Sequence, residues 1–600
     1  MTAQMNRIIK KKRIIQFALL ASVVLLIVSI WPILYYGPKI PDMPELSTFN
    51  NELRKQIRDA NRKAHKRPSS NNLGTLGAIY HSSQLYEKAA DCYKIAINRN
   101  GSSWIWSYYL GCLDKEMSKS QEAINNFKKA LEKNPRAYNA LYYIGEEYQN
   151  IGLYDEALSV YAEISGTDPV TRYRSGNFRR DYYPLNIYAK YQTARIHLNL
   201  KQYDKAEETL LDILENYSYG PAYRLLGSLY SAKGNSAASE AYMTRSNELF
   251  NITNPVDTLT DLLALRSNSE SFILKQIDKA DYDSYLDWAN ILINNALNYA
   301  PDNKYVISKA IRILFRTQSE NRALDLLETH FLNFSDNLSE LKEVADILYN
   351  NGFFEQSARY YLRAIELDPQ DTEIQANLVL SMFRDNNTQA ADDLLMKFVK
   401  DQSGNAEVII NASYISILME KWDQADHYLE QLEKISPSNP KGLLLSGLCN
   451  LEKGKTKEAE TLFRRSFRNK PDILSAEALG DLLTEQKRWH EAINHYKLAL
   501  VPFPNEPSIL LKLGILLVSS QDETLRDYDQ GIEYLQRLIV HKSCPPDHLI
   551  RSVSNLSQTY EHLGNERKAS ACREFLNNLL QVTSNPRYLI VKLDYELKKP

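Results

Sequence analysis

Residues 73–97 read LGTLGAIYHSSQLYEKAADCYKIAI, and residues 107–131 read SYYLGCLDKEMSKSQEAINNFKKAL. Laid over one another they share a pattern of small and aromatic residues 34 positions apart, which residues 141–165, LYYIGEEYQNIGLYDEALSVYAEIS, continue. Gly77, Gly111 and Gly145 keep this step, as do Ala89, Ala123 and Ala157, then Tyr93, Phe127 and Tyr161. Pro135 and Pro169 are also 34 apart. Such a period marks a repeat array in which one unit cannot bury its apolar face alone, so that neighbours must stack. A small residue on a first helix and the Ala of a second let antiparallel helices approach. Aromatic rings fill the space beside them, and Pro ends the second helix because it cannot continue one.

The step recurs later: Ser357, Ala391, Ala425 and Ala459 are each 34 apart, and Ala492 follows after 33. Pro369, Pro437, Pro471 and Pro504 close their units in the same phase. With Leu76-Gly77, Tyr80, Ala89, Tyr93 and Ala96 in its signature places, the chain resembles the tetratricopeptide repeat (TPR) family. The resemblance implies an all-α fold, a right-handed α-solenoid of about 13–14 TPR-like helical hairpins between Ser70 and Gln581. We expect an N-terminal array over 70–249, degenerate repeats or a joint over 250–338 where the register weakens, and a C-terminal array over 339–581. Insertions interrupt the phase at 170–186 and around Asp522. The tail, 582–600, leaves the pattern, with a short strand expected at Tyr588 to Leu593.

Ahead of the repeats, residues 1–13 are basic and Ile14 to Tyr36 is an almost unbroken apolar run. At about 1.5 Å per residue the run can cross a bilayer core of roughly 30 Å, so one transmembrane helix is expected over 14–36. Arg7, Lys10, Lys11, Lys12 and Arg13 would stay cytoplasmic by the positive-inside bias, placing the array outside the cytoplasm, in the periplasm if the source is bacterial. A cleaved signal peptide is the alternative, but the run ends in Ile30-Trp31-Pro32 without a small-x-small site. Residues 37–69 would link anchor to array, with a helix from Glu45 to Lys66.

The full chain has 600 residues, 72 Lys and Arg against 74 Asp and Glu, and five Cys. The near-neutral balance argues against nucleic acid as a partner, and five Cys cannot make a disulfide scaffold. Cys92 and Cys112 fall on neighbouring helices and could pair outside the cytoplasm; Cys544 is the expected free thiol. Catalytic signatures are absent: Gly454-Lys455-Thr456 has Cys449 where a phosphate loop needs glycine, and His490 and His495 are five apart rather than four. We therefore expect no enzyme, no cofactor and no metal, and take both histidines as surface residues.

In the family the first helix of each unit lines the inner surface, at roughly positions 2, 5, 9 and 12, which share one helical face. On the N-terminal units this rule selects Ile105, Tyr108, Cys112 and Lys115, then Asn139, Tyr142, Glu146 and Gln149, then Tyr188, Tyr191 and Arg195. That set suits hydrogen bonding and stacking with an extended peptide or a glycan. On the C-terminal units it selects Ile410, Tyr414 and Ile417; Leu444, Leu448 and Leu451; then Leu511, Ile515 and Val518, a groove suited to an amphipathic helix. Close superhelical winding, or a second copy in a homo-oligomer, would instead bury these faces. The insertion adds Arg172, Arg174, Arg179 and Arg180 among Tyr173, Phe178, Tyr182 and Tyr183, either an interface or a loop folded over the solenoid edge. The expected function is a membrane-anchored scaffold binding protein partners, organising envelope assembly or export. The alternative is a periplasmic polysaccharide- or peptide-binding module using the Tyr- and Asn-rich face.

Overall fold

The computed structural model describes residues 39–100, 103–166, 182–334, 337–579 and 587–599; among these every regular element is helical. Fourteen helical hairpins follow one another from Ser70–Ser82 with Tyr86–Arg99 to Pro546–His562 with Glu566–Leu579. Three helices stand outside the hairpins: Asn51–Lys66, Thr258–Arg266 and Arg587–Lys598. The last occupies the tail where a strand was expected. Its Ile590, Leu593 and Leu597 enter a core cluster, and that spacing of three and four belongs to a helix.

The period of 34 is visible in the backbone itself. The turn inside most hairpins holds one residue with positive φ, and two runs of these keep a step of 34: Gln84, Ser118 and Gly152, then Ser284, Gln318, Gly352, Asn386, Glu420 and Gly454. The second series begins at Ser284, inside the stretch where sequence alone showed a weakened register, 50 residues after the turn at Gly234. First helices are capped at the same interval: the side chains of Asn303, Asn337, Asp371, Asn405 and Asn439 each accept from a backbone N–H of the first turn. Each such cap is worth about 1 kcal/mol. Within a hairpin, the expected close approach is real. A Cβ at Gly77 would sit 2.9 Å from the Tyr93 ring, and one at Gly447 would sit 2.4 Å from Phe463.

The chain divides into two compact units. The first comprises residues up to Val160 together with Leu259–Phe272, and its core runs from Leu53 and Ile57 through Tyr80, Tyr93, Trp106, Tyr109 and Phe127 to Leu263. Rings dominate it: Tyr93 stacks on Trp106 and Tyr109 at centroid distances of 6.3 and 6.0 Å.

The second unit comprises 161–258 and 273–600. Its early hairpins pack against its last helices. The Ser218 N–H and hydroxyl donate to the two Asp594 carboxylate oxygens at 2.7 and 3.1 Å, and Tyr217 stacks on Tyr595 at 5.2 Å. Lys598 Nζ donates to the Leu214 carbonyl at 3.0 Å. Leu249 joins the core of Leu510, Leu535, Leu538 and Leu549. Tyr182 and Tyr183, the described end of the insertion, turn inward. Tyr182 stacks on Tyr285 at 4.5 Å and donates to the Ser284 carbonyl; Tyr183 donates to the Ser218 carbonyl. The four insertion arginines lie outside the described residues.

The membrane placement is corrected. Among the described residues no helix is long and apolar enough to cross a membrane. The longest of these, Pro546–His562, carries Asp547, Arg551 and Glu561 along its length. The single-pass localisation is therefore withdrawn; the apolar run 14–36 on which it rested lies outside the described residues.

Candidate functional site

First helices stack on first helices. Thr372–Arg384, Ala406–Leu418 and Pro440–Glu452 pack in succession, so residues at equivalent positions form one face in the second unit. On it Ile410 and Ile417 are half-buried and Tyr414, between them, is 42% exposed. On the neighbouring helix Leu444 is buried while Leu448 and Leu451 remain half-buried. Further along, Leu511 and Val518 are buried and Ile515 is half-buried. The structure thus keeps an apolar strip whose most open side chain is Tyr414, backed by residues already held in the core.

The N-terminal set is divided. Tyr108, Asn139, Tyr142, Glu146 and Gln149 are in the first unit, and Tyr188, Tyr191 and Arg195 are in the second. Tyr108, Tyr142 and Tyr188 are at most 1% exposed, and Asn139 is buried. Tyr108 is enclosed by rings, edge-on to Phe127 at 5.6 Å and to Trp104 at 6.0 Å. Glu146 and Gln149 are half-buried, and Glu146 accepts from Lys115 Nζ at 2.7 Å. Burial alone would lower the Lys115 pKa, but the charge and hydrogen bond of Glu146 outweigh it and hold the ammonium above its usual range. Tyr191 is half-buried, edge-on to Tyr219 at 5.7 Å, with the Arg195 guanidinium 6.0 Å from its ring centre. Burial pushes the Tyr191 hydroxyl up, against the opposing pull of Arg195.

One regularity escaped the sequence reading. Successive first helices are bridged by opposite charges 31 residues apart. Lys115 meets Glu146, Lys309 meets Asp278, Lys342 meets Glu373, Lys512 meets Asp481, and Arg312 meets both Asp281 and Glu343. The interval is the repeat of 34 less one turn of three, so the next helix offers its partner one turn earlier. The signal is present in the sequence as charge pairs at that offset, but it emerges only once the helices are known to run side by side. Lys342, with Asp371 and Glu373 at 3.1 and 2.7 Å, is committed to this ladder.

None of the five cysteines is disulfide-bonded, Cys92 and Cys112 included. Burial pushes the Cys92 and Cys572 thiols up to about 12, which keeps them protonated and unreactive. His490 is exposed, but His495 is buried against the Ala476 carbonyl at 2.9 Å, correcting its assignment to the surface. Gly454 is the positive-φ residue of its hairpin turn, as its place in the repeat requires.

The tetratricopeptide repeat model matches residues 111–169 and 419–472, and a second model of the same description matches 188–218. The chain carries tetratricopeptide repeats. The TPR repeat-containing protein MJ1428 of Methanocaldococcus jannaschii is 22% identical over 432 residues, 70% of this chain and 67% of that protein. The peroxisomal targeting signal receptor of Candida albicans is 31% identical over 104 residues, 16% of this chain and 17% of the receptor, so only a small part of the receptor is spanned. Among solved structures, yeast Tom70 aligns over 88% of this TPR chain and 95% of its own, at 15% identity and a TM-score of 0.34.

Proposed function

We propose that this TPR chain is a scaffold for protein–protein interaction, and that the first-helix face of the second unit takes an amphipathic helix. One observation carries the reading: Tyr414 stands 42% exposed between half-buried Ile410 and Ile417, beside half-buried Leu448. An aromatic side chain held by a packed apolar base makes a stiff anchor of the kind that dominates interface energetics. The peroxisomal targeting signal receptor, by its name a receptor, supports the same class of role. Stacking on a sugar needs an open ring face, and the burial of Tyr108, Tyr142 and Tyr188 favours a protein over a polysaccharide. A role in envelope assembly or export would need the chain at a membrane, which no described helix supplies.

The test is a photo-crosslinking side chain at position 414 in cells, compared with one at Val501, which is 76% exposed in a turn. Protein adducts should form at 414 and fail to form at 501. Equal yields at the two positions would refute the docking face.

A further inference from the structure

The helix Thr258–Arg266 belongs to no hairpin. It follows the second helix of one, Ser236–Glu248, precedes the first helix of the next, Glu270–Tyr282, and with the residues up to Phe272 is part of the first unit. Its apolar residues Leu259, Leu262 and Leu263 share one face. Leu263 is 4% exposed and belongs to the core of that unit, and Leu259 and Phe272 pack against the same core. The groove that receives them is built from Asn51–Lys66, Ser70–Ser82 and Trp104–Glu116, with Ile105, Trp106 and Tyr109 beside Leu259 and Leu262.

The end of the helix is held through its backbone. The Gln56 amide donates to the Arg266 carbonyl at 2.5 Å, and its oxygen accepts from the Asn268 N–H at 3.2 Å. Asn50 Nδ2 donates to the Asn268 carbonyl at 3.2 Å and to the Glu270 carboxylate at 2.8 Å. At the other end Tyr109 donates to the Leu259 carbonyl at 2.8 Å. The four backbone bonds carry no sequence information, so the leucine spacing and the Asn50–Glu270 contact supply it. Nor is the groove full. A half-open cavity of about 400 Å³ lined by Asn71, Thr75, Ile105 and Leu262 lies beside the helix. A nine-residue helix is too short to persist in water unaided, so this one is helical because it is docked.

We infer that this groove is a helix-reading site. It takes a partner helix with apolar residues at i, i+3 and i+4 whose last turn is received by the Gln56 amide and whose following residues are received by the Asn50 amide, and residues 259–272 hold that place in cis. This rests on the scaffold reading and extends it to a second docking place with a resident competitor.

The experiment uses the full chain and a fluorescent peptide with the sequence of residues 258–272. Leu259→Asp with Leu262→Asp, both half-buried sites, should free the groove and tighten peptide binding at least tenfold over the unmodified chain. Adding Gln56→Ala should reverse that gain. Asn268→Pro, which removes the N–H that Gln56 accepts and leaves the leucines alone, is the second releasing variant should the first lose its helical circular dichroism. In the unmodified chain, excess peptide should speed amide exchange at 259–266. Peptide binding that neither releasing variant improves, or that ignores Gln56→Ala, would overturn the inference. Crosslinking at Tyr414 lies in the other unit and would be untouched by that failure.

Discussion

Glu248 is completely buried, and Arg537, 289 residues further along the chain, donates to its carboxylate from Nε at 2.7 Å. Arg245 pairs with the same carboxylate, the Lys542 N–H donates to the Glu248 carbonyl, and Asn505 donates to the Thr244 carbonyl. One buried carboxylate therefore pairs with two guanidinium groups at the junction between the early and late hairpins of the second unit. Removing one partner of a buried pair leaves charge uncompensated, at a cost of about 3–5 kcal/mol. Glu248→Gln should destabilise the second unit by that order in urea unfolding. Asp212→Asn, which breaks the half-exposed pair with Lys190, should cost less than about 1 kcal/mol. Equal effects of the two substitutions would show that the junction contributes no more than the surface.

His541 shares that junction. Burial, with Arg245, Lys542 and Arg537 adding to it against Glu248, depresses its pKa from 6.5 to about 4. Its Nδ1 accepts from the Ser543 N–H at 3.1 Å, which fixes the neutral ring. The unfolded chain binds this proton near pH 6.5 and the folded chain does not until about pH 4. Stability from this site is therefore present above pH 6.5 and is lost as the pH falls towards 4, by on the order of 2 kcal/mol after solvent screening. His541→Gln should flatten the stability profile over that window, as measured by chemical unfolding at a series of pH values. An unchanged slope would assign acid sensitivity elsewhere.

The hairpin turns offer a matched pair. Glu420 has φ of 59°, a left-handed conformation that costs a residue with a Cβ about 1–2 kcal/mol. Gly352 holds the equivalent place two repeats earlier with φ of 85°, and a Cβ there would meet nothing within 4 Å. Glu420→Gly should stabilise the chain by about 1 kcal/mol, and Gly352→Ala should destabilise it by a similar amount, purely through the backbone. Opposite signs in thermal unfolding are the diagnostic; like signs would contradict the turn assignment.

The repeat was legible because its rule is local. Gly77 with Tyr93, and Gly447 with Phe463, are each 16 residues apart, within the reach of one hairpin. Whatever depended on sequence-distant partners was not legible. No local pattern announces that Ser218 will meet Asp594 or that Tyr109 will bind the Leu259 carbonyl. The face rule for first helices selected Tyr414 and Ile410, which stay open or half-buried, yet it could not foresee that Tyr108 and Tyr142 would be buried; Phe127, edge-on to Tyr108, comes from the adjoining helix. Tyr588 to Leu593 reads as a strand because its apolar run is short, and only the core that Arg587–Lys598 enters distinguishes the two periods.

A stack of identical modules open at both ends can gain or lose one and remain a stack. The junction of Ser218 with Asp594 and Glu248 with Arg537 removes that freedom from the second unit. Its two sides meet only if the hairpins between them add up to the right rotation and rise, so the number of repeats there is a closure condition, much as the number of staves is for a barrel. By that condition a change of length in a loop leaves the closure intact, whereas an added or removed repeat breaks it.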